Sequence, residues 1–207
     1  MCKSSVTATY LKCHSFTGPV IDAATSHRRS QPANDTLVTM RVFGIDCGTE
    51  YTGWGIVQVE ETPRERRLVP VAAGAIRLNK KERTPLRLQQ VYVELTGLMS
   101  AYQPDCVAIE DVFFAANAKS ALKLGHVRGV AMLAAASCGL SVSEYAPLSI
   151  KSAVVGYGLA AKEQVQFMVA RLLDLEKAPE PADAADALAI AICHVHTAQT
   201  QTGVGVR

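Results

Sequence analysis

Three apolar runs in this chain end on acids or open with them. MRVFGI leads into Asp46, CVAI leads into Glu110, and the Ala-rich stretch ADAADALAIAIC opens with Asp183 and Asp186. The first two runs read as buried strands. A carboxylate is a poor residue with which to finish one, because a desolvated charge costs several kcal/mol, roughly, unless a cation or a donor meets it. Whatever fold forms has to bring these acids to a place where positive charge is available, and a metal site meets that requirement most simply.

The order of elements narrows the architecture. Residues 41–46, 53–59 and 68–78 read as three successive strands, with Gly48, Thr52 and Gly53 marking a tight first turn, and they predict an antiparallel meander. Thr84 and Pro85 supply an N-cap and a first-turn proline for a helix to about Tyr102, with Leu88, Val91, Leu95 and Leu98 on one stripe. Pro104 separates that helix from a fourth strand at 106–110. A helix over 117–138, a fifth strand at 141–145 and helices over 147–155, 162–174 and 183–196 complete the pattern. Strands first in sequence and then strands joined through helices predict an α/β fold, with a five-stranded mixed sheet flanked by helices. Asp46 and Glu110 then lie on strands that can be neighbours. Asp183 and Asp186, three residues apart at a helix start, can share one face, where the positive end of the helix dipole helps hold their charge.

A chain of 207 residues with 49% hydrophobic content suits one well-buried domain. Residues 40–197 carry the regular pattern. Residues 1–39, rich in Ser, Thr, Ala and Pro and without apolar periodicity, read as a disordered leader, and a start assigned upstream of Met40 would produce it; 198–207 read as a flexible tail. The six cysteines are scattered without a C-x-x-C pair, which suggests a reducing, cytoplasmic setting. The least polar stretch, Gly129 to Val142, is too short to cross a bilayer and is broken by Ser137, Gly139 and Ser141, so no membrane segment is expected. The net charge of +2 resides in the first 39 residues, where Lys3, Lys12, Arg28 and Arg29 outnumber Asp22 and Asp35. The body is formally neutral. Apart from the clustered acids its surface is therefore mildly cationic, which permits contact with a phosphate backbone.

Four carboxylates with no histidine or thiolate among them make a hard oxygen set, suited to Mg²⁺ or Mn²⁺ rather than zinc. Their repulsion calls for about two such ions, which roughly 4 Å apart can activate a water, stabilise a leaving oxygen and orient in-line attack on a phosphodiester. Each part alone has a plainer reading. Asp183 and Asp186 could be a helix-start charge pair, and Glu110 a loop-facing strand end. The motif G-I-D-x-G-x-x-x-x-G-x-G from Gly44 to Gly55 also resembles the phosphate loop of actin-like ATPases, although no second G-x-G region paired with a strand-end acid is evident. His194 and His196 do not share a helix face, so tail or solvent contact is expected rather than zinc binding. His126 reads as a helix-surface histidine, and Trp54 and Phe167 read as core.

The segments GIDCGTEYTGWGIV, AIEDVFFAANAKSALKLGHVRGV, YAPLSIKSAVVGYG, AAKEQVQFMV and ADAADALAIAICH together resemble the RuvC family of Holliday-junction resolvases, in the family's order and spacing from about Met40 to Thr197. The resemblance implies an RNase H-like fold, a homodimer, and an endonuclease of DNA recombination and repair. It would nick two opposed strands of a four-way junction with Mg²⁺, leaving 5′-phosphate and 3′-hydroxyl ends, alongside the branch-migration proteins RuvA and RuvB. Asp46, Glu110, Asp183 and Asp186 match the family's catalytic and metal-binding acids. Phe113 matches a side chain near the junction centre that can stack on or displace a base, and Lys151 and Lys162 match basic positions facing the scissile strand. A protein that bound junctions without cutting them would be expected to lack one or more of the acids. Two positions depart from the family: Cys47 stands where proline is usual, and Asp111 where a neutral amide is common. Strand alternation predicts that Asp111 points away from the cleft.

Overall fold

The computed structural model describes residues 37–62, 65–111 and 118–203. Three strands come first, β1 (Leu37–Asp46), β2 (Tyr51–Glu61) and β3 (Arg66–Arg77), followed by α1 (Thr84–Tyr102), β4 (Cys106–Glu110), α2 (Ala118–Ser137) and β5 (Ser141–Tyr145). Helices α3 (Pro147–Val155), α4 (Lys162–Leu172) and α5 (Ala182–Gly203) close the chain. The strands form one mixed sheet in the order β3-β2-β1-β4-β5. The first three make the expected meander, while β4 runs parallel to both β1 and β5.

Strand alternation divides the core into two layers. Phe43 and Ile45 of β1 pack with Trp54, Ile109, Val91, Leu95 and Val127 on the side covered by α1 and α2. Val42 faces the other way, with Val57, Ala108, Val169, Leu188 and Ile192 beneath α3, α4 and α5. Helix α5 is apolar nearly all round, which is the pattern of a helix meant for the interior. Fully burying Leu188 and Ile192 is worth about 1.5–3 kcal/mol each. The small, fully buried Ala184, Ala187 and Ala191 let the helix lie close to the sheet.

Several sequence expectations shift. Met40 lies inside β1 rather than ahead of it, because the ladder continues back through Val38 opposite Glu60 and Leu37 opposite Glu61; the short apolar run Leu37-Val38 belongs to the strand and not to the segment before it. Helix α5 runs to Gly203, over part of the segment read as a tail. The cap of α1 is Arg83, with Thr84 already helical. Phe167 is not core: it is 59% exposed, with the Arg171 guanidinium 5.5 Å above its ring. The buried side of α4 is Val165, Val169 and Ala170, and a residue two positions from both valines must face outward.

The two histidines of α5 also differ from expectation. His194 is half-buried, its Nδ1 2.8 Å from the Tyr145 hydroxyl and its Nε2 3.3 Å from Cys106 Sγ. Burial pushes its pKa down, so the ring sits neutral between the two partners. His196 places Nδ1 2.9 Å from the Ala153 carbonyl, to which it donates. Both tie α5 to neighbouring elements while remaining partly exposed. His126 is exposed on α2, and Trp54 is fully buried, as expected.

Candidate active site

The acids meet because β1 and β4 are parallel neighbours. Ile45 is in register with Ile109, so Asp46 and Glu110 follow side by side at the carboxyl ends of the two strands, the end at which open α/β sheets bind ligands. Asp46 shares its face with Val42 and Gly44, and Glu110 shares its face with Cys106 and Ala108. Both carboxylates therefore point toward α5. The first turns of α5 supply Asp183 and Asp186 over the same strand ends.

Glycines in the sheet allow the helix to come this close. Gly53 pairs with Asp46 across the β1–β2 ladder, and a Cβ on Gly53 would stand 2.0 Å from the Asp183 carbonyl oxygen. One on Gly44 would stand 2.0 Å from the Ala187 carbonyl oxygen. Only hydrogen fits at either point. The sequence motif that resembles a phosphate loop is here a bare floor on which α5 rests.

Asp46, Glu110 and Asp186 line a cleft of about 220 Å³ with Lys151 and Lys162, over apolar walls that include Ile150, Val165 and Ile190. Asp183 lies beside Gly53 and outside that lining, although its charge bears on both Asp46 and Lys162. Lys162 opens α4, whose start is held by the Ala161 N–H donating to the Gln164 side-chain oxygen at 2.9 Å. Its ammonium is 2.5 Å from Asp186 Oδ2, and that hydrogen bond raises its pKa. Lys151 donates to the Ala160 carbonyl at 2.8 Å, fastening α3 to the segment ahead of α4. Helix α3 stops at Gly156, whose φ of 81° suits the left-handed cap that turns the chain toward that segment.

The field in the cleft is strongly negative. Burial first, and then the charges of Asp186, Glu110 and Asp183, push the Asp46 carboxyl up to about 7, with Lys162 opposing. Glu110 is raised by burial and by Asp186, and lowered by Lys151 and Lys162. A carboxyl raised first by burial and then by three neighbouring acids marks negative charge that the two lysines do not balance, so the all-oxygen set fits hard divalent cations. The acids ring the cleft instead of closing on one point. Among the described residues no group of three or more His, Cys, Asp or Glu is placed to hold an ion together, and Lys162 supplies the positive charge between them.

Of the residues expected from sequence, Asp46, Glu110, Asp186, Lys151 and Lys162 converge on the cleft, with Asp183 adjacent. Phe113 lies outside the described residues. Cys47 is buried in the α1/α2 layer, where burial and the neighbouring Asp46 charge push its thiol pKa well up; it is no cleft nucleophile. Asp111 points to the α2 side, as alternation predicts, and meets Arg128 at 3.3 Å. Arg128 was not legible as a site residue. Its partners come from the ends of two strands, and the only hint was three acids, Glu110, Asp111 and Glu144, at those ends with an arginine on the helix that connects them.

The model of the family described as crossover junction endodeoxyribonuclease RuvC matches residues 42–194. A relative of that name from Koribacter versatilis (strain Ellin345) is 61% identical over 149 residues, 72% of this chain and 88% of its own. Thermus thermophilus RuvC superposes with a TM-score of 0.72 at 34% identity, covering 79% of this chain and 98% of that one. T. thermophilus RuvC in complex with Holliday junction substrate gives 0.71 at 31% identity, with the same coverage of each chain. The common architecture is the RNase H-like fold. Since the likeness runs through every strand and helix that brings the acids together, this chain belongs to the RuvC family of crossover junction endodeoxyribonucleases, nucleases that act on DNA phosphodiester bonds.

Proposed function

We propose that this nuclease resolves four-way DNA junctions by Mg²⁺-dependent nicking of two opposed strands, one in each cleft of a homodimer, and leaves 5′-phosphate and 3′-hydroxyl ends. The observation that carries the reading is the convergence of Asp46, Glu110 and Asp186 with Lys151 and Lys162 on one open cleft. Asp46, Glu110, Asp183 and Asp186 would hold about two divalent cations, which when bound supply the charge that lets a water lose its proton and that offsets charge on the phosphate. Mn²⁺ would serve in the same oxygen set.

The remaining work belongs to the chain's own side chains. Asp186 holds the half-exposed Lys162 ammonium in the lining of the cleft, where it would meet a phosphate oxygen of the bound strand. Lys151, fastened to the Ala160 carbonyl, sets a second positive charge in the same cleft. The apolar Ile150 and Val165 limit water around the reacting group. Phe113, three residues beyond Glu110, would stack on or displace a base at the junction centre. RuvA and RuvB would present the junction in the cytoplasm; no helix among the described residues is long and apolar enough to cross a membrane.

A synthetic four-way junction and a linear duplex of the same sequence, each incubated with the protein with and without Mg²⁺, test the reading. Paired symmetric nicks confined to the junction and dependent on the metal are expected; equal cutting of the linear duplex defeats it. Lys162→Ala should slow junction cleavage by about 100-fold and weaken binding by less than about threefold, because a placed charge matters more as charge develops on the phosphate than in the ground state. Equal losses in rate and affinity would make Lys162 an ordinary surface cation.

A further inference from the structure

We propose that Arg128 is a positioning residue for Glu110: it fixes the peptide at the end of β4 and cancels the extra charge of Asp111, so that this strand end presents one carboxylate to the cleft. The inference rests on the nuclease reading above. Arg128 sits on α2, its side chain only 18% exposed, and it has three partners. Its Nε donates to the Glu110 carbonyl at 3.2 Å, and its terminal nitrogen meets Asp111 Oδ1 at 3.3 Å and the Glu144 carboxylate. The same strand end is held from its other side, where the Asp111 N–H donates to the Tyr145 carbonyl at 2.8 Å. The peptide joining Glu110 to Asp111 is therefore gripped at both its oxygen and its nitrogen, at the point where the ladder with β5 stops.

Charge makes the grip necessary. Glu110 and Asp111 point to opposite faces of the sheet, Glu110 toward Asp46 and Asp186 and Asp111 toward α2. Glu144, in register with Ile109, brings a second carboxylate to the α2 side. Without Arg128, Asp111 and Glu144 would repel each other across neighbouring strands, and the cheapest relief would be rotation or fraying of the β4 end. Either motion moves Glu110. The planar guanidinium fork suits the task because it can serve a carbonyl and two carboxylates at once, which an ammonium cannot do with fixed geometry.

The test uses the full-length protein with Arg128→Gln, Arg128→Lys, Asp111→Asn and the Arg128→Gln/Asp111→Asn pair. Each is measured for junction affinity, for cleavage at limiting and saturating Mn²⁺, for melting temperature, and for Mn²⁺ binding without DNA by electron paramagnetic resonance. Arg128→Gln should raise the Mn²⁺ concentration for half-occupancy about tenfold and slow cleavage about 10- to 100-fold at limiting metal, with junction affinity unchanged. Arg128→Lys should recover part of the loss, and would carry the test should the glutamine variant melt too low to study. Asp111→Asn alone should change cleavage less than about twofold, yet restore several-fold in the Arg128→Gln background. Wild-type Mn²⁺ binding in Arg128→Gln overturns the proposal, as does a loss confined to junction affinity; strict additivity of the pair overturns the role given to Asp111. A wild-type protein that binds Mn²⁺ but leaves junctions uncut would refute the junction-resolving reading instead, and the Mn²⁺ titrations would still decide the role of Arg128.

Discussion

Asp46→Asn should lower junction cleavage by about 10³-fold or more while junction affinity stays equal or rises, and Glu110→Gln, Asp183→Asn and Asp186→Asn should do the same. Each change removes an oxygen ligand of the proposed metal pair. Each also removes a negative charge that repels the incoming phosphate backbone, so binding and catalysis move apart. Cleavage at wild-type rates in any of the four removes that residue from the metal set.

Asp46 gives the same substitution a second signature, independent of activity. Its carboxyl is raised from 3.8 to about 7 in the folded protein by burial and by three neighbouring acids. Between those values the native state binds a proton that the unfolded chain does not. The stabilisation is fully present below the unfolded pKa and is lost as pH rises through the folded one. At about 1.4 kcal/mol per unit, up to roughly 4 kcal/mol is at stake. Asp46→Asn, which never ionises, should therefore melt higher than wild type in EDTA at pH 8, by several degrees, with the difference shrinking toward zero near pH 4. A constant offset across that range would mean that Asp46 carries no such strain. The catalytic loss and the stability gain share one cause, a site shaped for cations whose acids repel one another when no cation balances them.

How much of this was legible in the sequence depended on where each signal was encoded. Asp46 and Glu110 stood out because a carboxylate ending an apolar strand is energetically conspicuous, and the strand pattern alone sufficed to make them possible neighbours. The bounds of α1 and α3 came within a residue because Pro85 and Pro147 punctuate them locally. Arg128 was hidden because its meaning is wholly tertiary: an arginine on a helix looks solvated until strands from two other segments bring it a carbonyl and two carboxylates. Phe167 misled for the opposite reason. An aromatic beside Val165, Met168 and Val169 reads as core by composition, and only the phase of α4 against α3 and α5, set by Val165 and Val169, turns it outward. His194 needed the partners Tyr145 and Cys106, which the H-x-H spacing could not supply. The close seating of α5 was half-legible. The glycines of GIDCGTEYTGWG were evident, but a phosphate and a helix backbone call for the same absence of side chains, and the sequence does not say which one fills the space.

That ambiguity yields the second large expectation. Gly53→Ala would put a methyl group 2.0 Å from the Asp183 carbonyl oxygen and 3.0 Å from the Asp183 Cβ, so the first turn of α5 has to move by about 1 Å. Neither partner is a flexible side-chain tip. The displaced residues are backbone in a helix packed along the sheet, and overpacking of this kind costs about 1–3 kcal/mol. Because the shift falls on the turn that carries Asp183 and Asp186, cleavage should drop by about 100-fold, more than the loss of melting temperature would suggest. Gly44→Ala makes the same clash deeper, at the Ala187 carbonyl oxygen, and should act mainly on stability. Gly97→Ala is the matched comparison: it lies in the middle of α1 with nothing within 4 Å of the added methyl, and should raise stability by about 0.5–1 kcal/mol with unchanged cleavage. The three variants thus separate seating of the acids, packing of the helix and plain helix propensity. If Gly53→Ala cleaves junctions as fast as Gly97→Ala, the first turn of α5 does not need to lie on that floor, and the glycines must be explained by something else that approaches the strand.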